Sequence, residues 1–250
     1  MYQQKHSKFD EVALLVEARQ PVLLTGERGC GKTTLIQQVA EKLGLPFYCQ
    51  NMTRQTTLSM LVGFRNVHGD YVRSQLREAV EHGGILLLDE IDAADANVLL
   101  ALNTIENGFV SFPDGIINVH KDFVLVATAN TQSTEYTGRS KLDAATLDRF
   151  DTIELHRDDN LERSLVPIAV YATIQKIRQA KAEYGLTKEV TMRDSLRLAV
   201  RTKLGLADSF IDTLLEHEVS ATEALKLSST SDDDNSSVGL SVRDLYYTFN

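Results

Sequence analysis

Residues 26–34 read GERGCGKTT and follow directly on the apolar run PVLLT. Glycine weakens strands and helices and offers no side chain to pack, so Gly26, Gly29 and Gly31 need a reason other than packing. From Gly26 to Thr33 the stretch fits G-x-x-x-x-G-K-[ST]. Its surroundings fit too. VLLT before it reads as a buried strand, and Leu35, Ile36, Val39, Ala40 and Leu43 after it repeat at helical spacing, with Gly44 as the C-terminal cap. In a strand–loop–helix of this kind, backbone N–H groups turn inward around phosphate oxygens, and the helix dipole favours the negative charge. Gly26, Glu27, Arg28, Gly29, Cys30, Gly31, Lys32, Thr33 and Thr34 are therefore the expected ATP-binding residues. Lys32 is placed to reach the β- and γ-phosphates and Thr33 to ligate Mg2+. Cys30 reads as a small filler side chain inside the loop.

The same strand logic extends along the chain. ILLLD, 85–89, is wholly apolar up to its last residue and delivers Asp89 and Glu90 to its C-terminal end. Ligands of open α/β sheets bind at that edge. Asp89 is expected to hold Mg2+ through water, and Glu90 to orient and activate the attacking water. The competing reading is a helix cap, for which Asp92 and Asp95 are better placed. FVLVATAN, 123–130, brings Asn130 to the same edge, where an amide positions water beside the γ-phosphate; asparagine also starts turns. In YTGRSKLDAATLDRFD, 136–151, Arg149 lies between a short helix, 142–149, and the strand TIEL, 152–155. It reads either as a salt-bridged surface arginine or as a finger acting in trans on a neighbour's γ-phosphate, a group worth roughly 10³-fold or more in rate. Arg139 is the weaker second candidate.

Elsewhere, Phe9, Val12, Ala13 and Val16 share one helical face, and PFYCQN, 46–51, reads as a strand. A helix is expected from Ser74 to His82, stopped by Gly83-Gly84. Another is expected over 95–107, capped by Asp95 and stopped by Gly108. FRNVHGDYV, 64–72, and FVSFPDGIINV, 109–119, place turn residues between β-prone runs and read as hairpins. Past about residue 158 only helices are expected, over 160–181 and 191–218. The fold class that follows is α/β: a P-loop NTPase parallel sheet with β-hairpin inserts over 1–157, then a small all-α domain over 158–250. The segment 228–239, SSTSDDDNSSVG, is expected to be flexible.

Composition narrows the rest. Hydrophobic residues are 43% of the 250 and charged residues 24%, ordinary for a globular protein. Two cysteines form no framework, which points to a reducing compartment. The six histidines have no metal-ligand spacing. No signal-peptide core and no apolar run near the ~20 residues of a membrane span is present, so a cytoplasmic protein is expected. The net charge of −9 opposes broad nucleic-acid binding.

GERGCGKTT, GGILLLDEIDAA, VATANT and LDAATLDRF together resemble an AAA+ ATPase. Their order resembles the dynein-related, MoxR/CobS-like branch, which carries one hairpin before the acidic strand and another before the sensor strand. The stretch from TLSMLVGF to SFPDG is similar to CobS-like proteins, including those encoded by bacteriophages. The resemblance covers residues 20–205. It implies an AAA+ core with a helical lid, ATP hydrolysis and a homo-oligomeric ring, usually a hexamer, in bacterial or phage-infected cytoplasm. It makes Asn130 the first sensor and Arg149 the arginine finger. VTMRDSLRLA makes Arg193 the second sensor, with Arg243 in LSVRDL as its rival. The expected work is remodelling of a client protein or metal-insertion, chelatase-type chaperoning. No von Willebrand-type module is read in this chain, so such a partner is expected on another one. Two alternatives stand beside this. One is a nucleic-acid motor using Lys176, Arg178 and Lys181, which share a helix; a solvated helix face is the plainer reading of that cluster. The other is a slow nucleotide-dependent assembly switch, which would have no need of Glu90.

Overall fold

In chain order the strands are β1 (Val22–Gly26), β2 (Phe47–Asn51), β3 (Phe64–Arg65), β4 (Tyr71–Val72), β5 (Gly84–Asp89), β6 (Phe109–Phe112), β7 (Gly115–Asn118), β8 (Phe123–Asn130) and β9 (Asp151–Leu155). The first helices are α1 (Phe9–Glu17), α2 (Lys32–Leu43), α3 (Leu58–Val62), α4 (Gln75–His82) and α5 (Ala96–Leu99). This is a computed structural model that describes residues 4–130, 147–184 and 189–215, in two units that divide between His156 and Arg157. Arg139, Arg243, most of the expected helix 142–149 and the segment 228–239 lie outside the described residues.

In the first unit five strands form one parallel sheet in the order β2-β5-β8-β1-β9. The strands alternate between two cores. Ile85 and Leu87 of β5 and Val124 and Val126 of β8 join the residues of α1 and α2, among them Phe9, Val12, Leu35 and Val39. Leu86 and Leu88, with Leu125, Ala127 and Ala129, pack on the other face with Leu76, Val80 and Leu102. Both faces are thus covered, which is why these strands read as continuous apolar runs. Each fully buried leucine contributes about 1.5–3 kcal/mol relative to exposure. All eight residues of β8 are buried, whereas edge strand β2 is only half buried.

Local signals fix the ends. Gly44 closes α2 at φ 63°, and the Ser74 hydroxyl caps α4 by accepting from the Arg77 N–H. The two expected hairpins form, β3 with β4 and β6 with β7. The segment 95–107 departs from expectation. It is α-helical only over Ala96–Leu99, then continues as a 3₁₀ helix over Leu100–Asn107 until left-handed Gly108. Apolar positions three and four apart serve either winding, so periodicity alone does not separate them. Helix α3, capped by Thr57, was not expected.

The described residues of the second unit hold four helices and no strand: α6 (Asp159–Leu165), α7 (Ile168–Tyr184), α8 (Met192–Lys203) and α9 (Ala207–Leu214). The stretch read as one helix over 160–181 breaks at Val166-Pro167, since proline lacks the N–H that continues a helix. That read over 191–218 breaks at Gly205, at φ 70°. Val170, Ile174, Ile177, Leu198, Ile211 and Leu214 form this unit's core. Two of the three basic residues on α7 turn into the fold, while Lys176 is half-buried. Arg178 forks onto the fully buried Glu162 at 2.8 and 2.9 Å, and buried Lys181 donates to the Leu214 carbonyl at 3.2 Å.

Candidate functional site

The glycine loop joins β1 to α2 at the C-terminal edge of the sheet. Gly26 and Gly31 adopt φ 149° and 97°. A Cβ at Gly26 would also stand 2.1 Å from the Leu155 carbonyl oxygen of β9, so only glycine fits. Glu27, Arg28 and Thr34 are exposed around the loop, while Cys30 is buried and packs into the α1/α2 core as a filler.

Lys32 opens α2 and is 8% exposed. Its Nζ donates to the carbonyls of Gly26 and Glu27, each at 2.8 Å, and to Asn130 Oδ1 at 3.0 Å. The strand order accounts for the last bond. Because β8 lies beside β1, Gly26 and Asn130 are register partners. Burial pushes the Lys32 pKa below the usual lysine value, opposed by the Cys30 sulfur and the carboxylates of Asp89, Asp92 and Glu90. Burial likewise pushes the Cys30 thiol up, with Lys32 opposing. Asn130 Nδ2 is buried with no hydrogen-bond partner among the described residues.

At the end of β5, Asp89 receives the Thr33 hydroxyl at 3.1 Å on Oδ2 and 3.3 Å on Oδ1. Glu90 follows in the left-handed region, φ 59° and ψ 48°, and Asp92 is buried in the 3₁₀ turn Ile91–Ala93. Thr128, two residues before Asn130, was missed by the sequence reading. It is fully buried, donates to Asp89 Oδ1 at 2.5 Å and accepts the Glu90 N–H at 2.9 Å. A lone hydroxyl inside an otherwise apolar strand was the available signal.

Lys32, Thr33, Asp89, Glu90 and Asn130 therefore stand together. Arg149 lies in the turn before β9 and pairs with Glu106 at 3.0 Å. Arg193 is exposed on α8 of the second unit. Among the described residues no group of three or more His, Cys, Asp or Glu could hold a metal alone. The Thr33 hydroxyl and Asp89 carboxylate are, however, a pair of hard oxygen donors. Such a pair suits Mg2+ that takes its remaining ligands from phosphate and water.

Comparison with known proteins gives the following. The family described as AAA domain (dynein-related subfamily) matches residues 21–150. The chain is 33% identical over 163 residues to Midasin of Dictyostelium discoideum, across 62% of this chain and 3% of that protein. It is 31% identical over 136 residues to the mouse von Willebrand factor A domain-containing protein 8, across 47% of this chain and 7% of that one. The chain thus spans only a few per cent of the length of these relatives. A crystal structure of NtrX from Brucella abortus aligns with a TM-score of 0.51 and 15% identity, covering 99% of this chain and 56% of that one, a likeness of fold.

Proposed function

Because the chain belongs to the dynein-related subfamily of AAA domains, we propose that it is an ATP-hydrolysing ring subunit that remodels a partner protein. The observation that carries this is the convergence of Lys32, Thr33, Asp89, Glu90 and Asn130 on one sheet edge, beside a loop of left-handed glycines. In this reading the loop N–H groups and Lys32 hold the phosphates. The Glu90 carboxylate takes a proton from the attacking water, and Asn130 Nδ2, buried with no partner among the described residues, orients that water. Mg2+, held by Thr33 and through water by Asp89, supplies charge neutralisation when bound.

Arg149 is the proposed finger on a neighbouring subunit's nucleotide, with Arg139 the weaker alternative. Its pair with Glu106 must open for that role. Residues 158–250 form the proposed lid, with Arg193 as second sensor, ahead of Arg243. The hairpins β3–β4 and β6–β7 transmit lid motion to a client, by remodelling or by metal-insertion chaperoning. The likeness to a protein named for a von Willebrand factor A domain supports a partner of that type on another chain. Nucleic acid is disfavoured, since Arg178 and Lys181 of the α7 cluster are engaged within the fold. No helix among the described residues is long and apolar enough to cross a membrane.

A second reading, in which each chain works alone, is favoured by the Arg149–Glu106 pair. ATP turnover against protein concentration, with Arg149→Ala doped into wild type, separates the two. A shared site gives specific activity that rises with concentration and is poisoned by the variant. Flat activity that the variant merely dilutes gives the solitary reading.

A further inference from the structure

We infer that Thr128 is a positioning residue for hydrolysis, setting Asp89 and Glu90 in register with each other. This rests on the proposed ATPase reading. Three observations converge. First, Thr128 is a polar residue with 0% exposure in the interior of β8. Second, its hydroxyl spends its proton on Asp89 and its lone pair on the Glu90 backbone N–H. One oxygen thereby fixes the side chain of one acidic residue and the backbone of the next. Third, Glu90 holds a left-handed backbone that few non-glycine residues adopt. Two local bonds hold it there, its own N–H to Thr128 and the Ala93 N–H to its carbonyl, each at 2.9 Å. The same strand carries Asn130 two residues on. The placement of water-orienting amide and acidic pair is thus referenced to a single strand.

The test uses Thr128→Val, which keeps the shape and removes the hydroxyl, and Thr128→Ser, which keeps it. Turnover of ATP, affinity for a fluorescent N-methylanthraniloyl ATP analogue and melting temperature are measured on each. Thr128→Val is expected to lower kcat about 10²-fold, the scale of one lost preorganising contact. Its analogue affinity should change less than about threefold, a kcat-against-affinity split. Thr128→Ser is expected to recover turnover to within about fivefold of wild type. If Thr128→Val does not fold, the serine variant still decides: wild-type melting with turnover down 10²-fold overturns the assignment. So does unchanged kcat in a folded valine variant, or loss of affinity, turnover and melting temperature together, which marks a merely structural residue. A wild-type chain that binds the analogue but does not turn over ATP removes the ATPase reading, and this inference with it.

A separate observation joins the two hairpins. Arg77 of α4, 5% exposed, donates to Asp114 in the β6–β7 turn at 2.5 Å and to Glu81 at 3.0 Å. It also stacks between Tyr71 of β4 and Phe112 of β6, 5.4 and 4.9 Å from their centroids. Arg65 of β3 crosses directly to the Pro113 carbonyl at 3.3 Å. The geometry points to the two inserts moving as one body about Arg77. Asp114→Asn alters only the second hairpin, so hydrogen exchange of the first reads the coupling. Exchange over 64–72 is expected to quicken about tenfold, together with that over 109–118, the scale of one charged hydrogen bond. Faster exchange confined to 109–118, or no change in either, overturns it. Arg77→Met must reproduce the joint effect.

Discussion

Glu162 in the second unit and Lys32 in the first are both buried charges, and they are held on opposite plans. Both oxygens of Glu162 are engaged by the Arg178 fork, and Oε1 also receives the Ser195 hydroxyl. Arg178 also donates from Nη2 and Nε to the Val190 carbonyl at 3.0 and 3.1 Å. Lys32 instead leans on main-chain carbonyls and on Asn130, whose own Nδ2 has no partner among the described residues. Beside it Glu90 holds a backbone conformation that few non-glycine residues adopt. A cluster whose charged groups already bond one another pins three helices together. An unsaturated, strained one retains binding capacity. The contrast separates scaffold from site by hydrogen bonding.

That separation can be broken most severely at Glu162. Glu162→Ala strands Arg178 and is expected to lower stability by about 3–5 kcal/mol, read by denaturant unfolding. Replacing Glu162 and Arg178 together by leucine and methionine should restore most of the loss. If Glu162→Ala melts like wild type, the cluster is not a scaffold. Next in size, Glu90→Gln should cut ATP turnover about 10²- to 10³-fold with unfolding unchanged, the scale of a lost general base. An equal fall in stability would erase the distinction. Asn130→Ala, which also removes the acceptor of the Lys32 Nζ bond, is expected to reduce turnover at least about tenfold, measured under saturating ATP. The smallest effect concerns the α4 brace. Hydrogen bonds from Arg73 and then Arg77 hold the Glu81 carboxyl below its ordinary value. A lowered folded pKa gives stability that is present above the unfolded value and is lost as pH falls through the folded one. Hydrogen exchange over 75–82 should therefore quicken only below about pH 4.5. The effect should be slight, because Glu81 is 34% exposed and screened.

The residues that meet at the sheet edge were more legible than the helical unit. GERGCGKTT, ILLLDE and FVLVATAN each carry their chemistry within a few consecutive residues, and the parallel sheet follows from their apolar runs. Thr128 escaped because its two partners sit on another strand, brought near only by the pairing of β5 with β8. Arg178 and Lys181 looked like a basic face for the same reason: Glu162 and the Leu214 carbonyl lie at distant positions in the sequence. Pro167 and Gly205 were visible breakers that the helical periodicity overrode. The 3₁₀ winding of Leu100–Asn107 had no separate signature, since the same apolar spacing supports both helices.

The sheet order has a consequence for how the chain is made. β8 lies between β1 and β5, both of which leave the ribosome first. Until residue 130 has emerged, those two strands have no neighbour to bridge them. Pairings such as Leu24 with Thr128 also close a long loop, which slows folding. The nascent chain therefore carries open strand edges until its central strand arrives as a keystone. Chains stopped before residue 123 should be degraded rapidly in pulse proteolysis, and those extended beyond residue 156 should resist it.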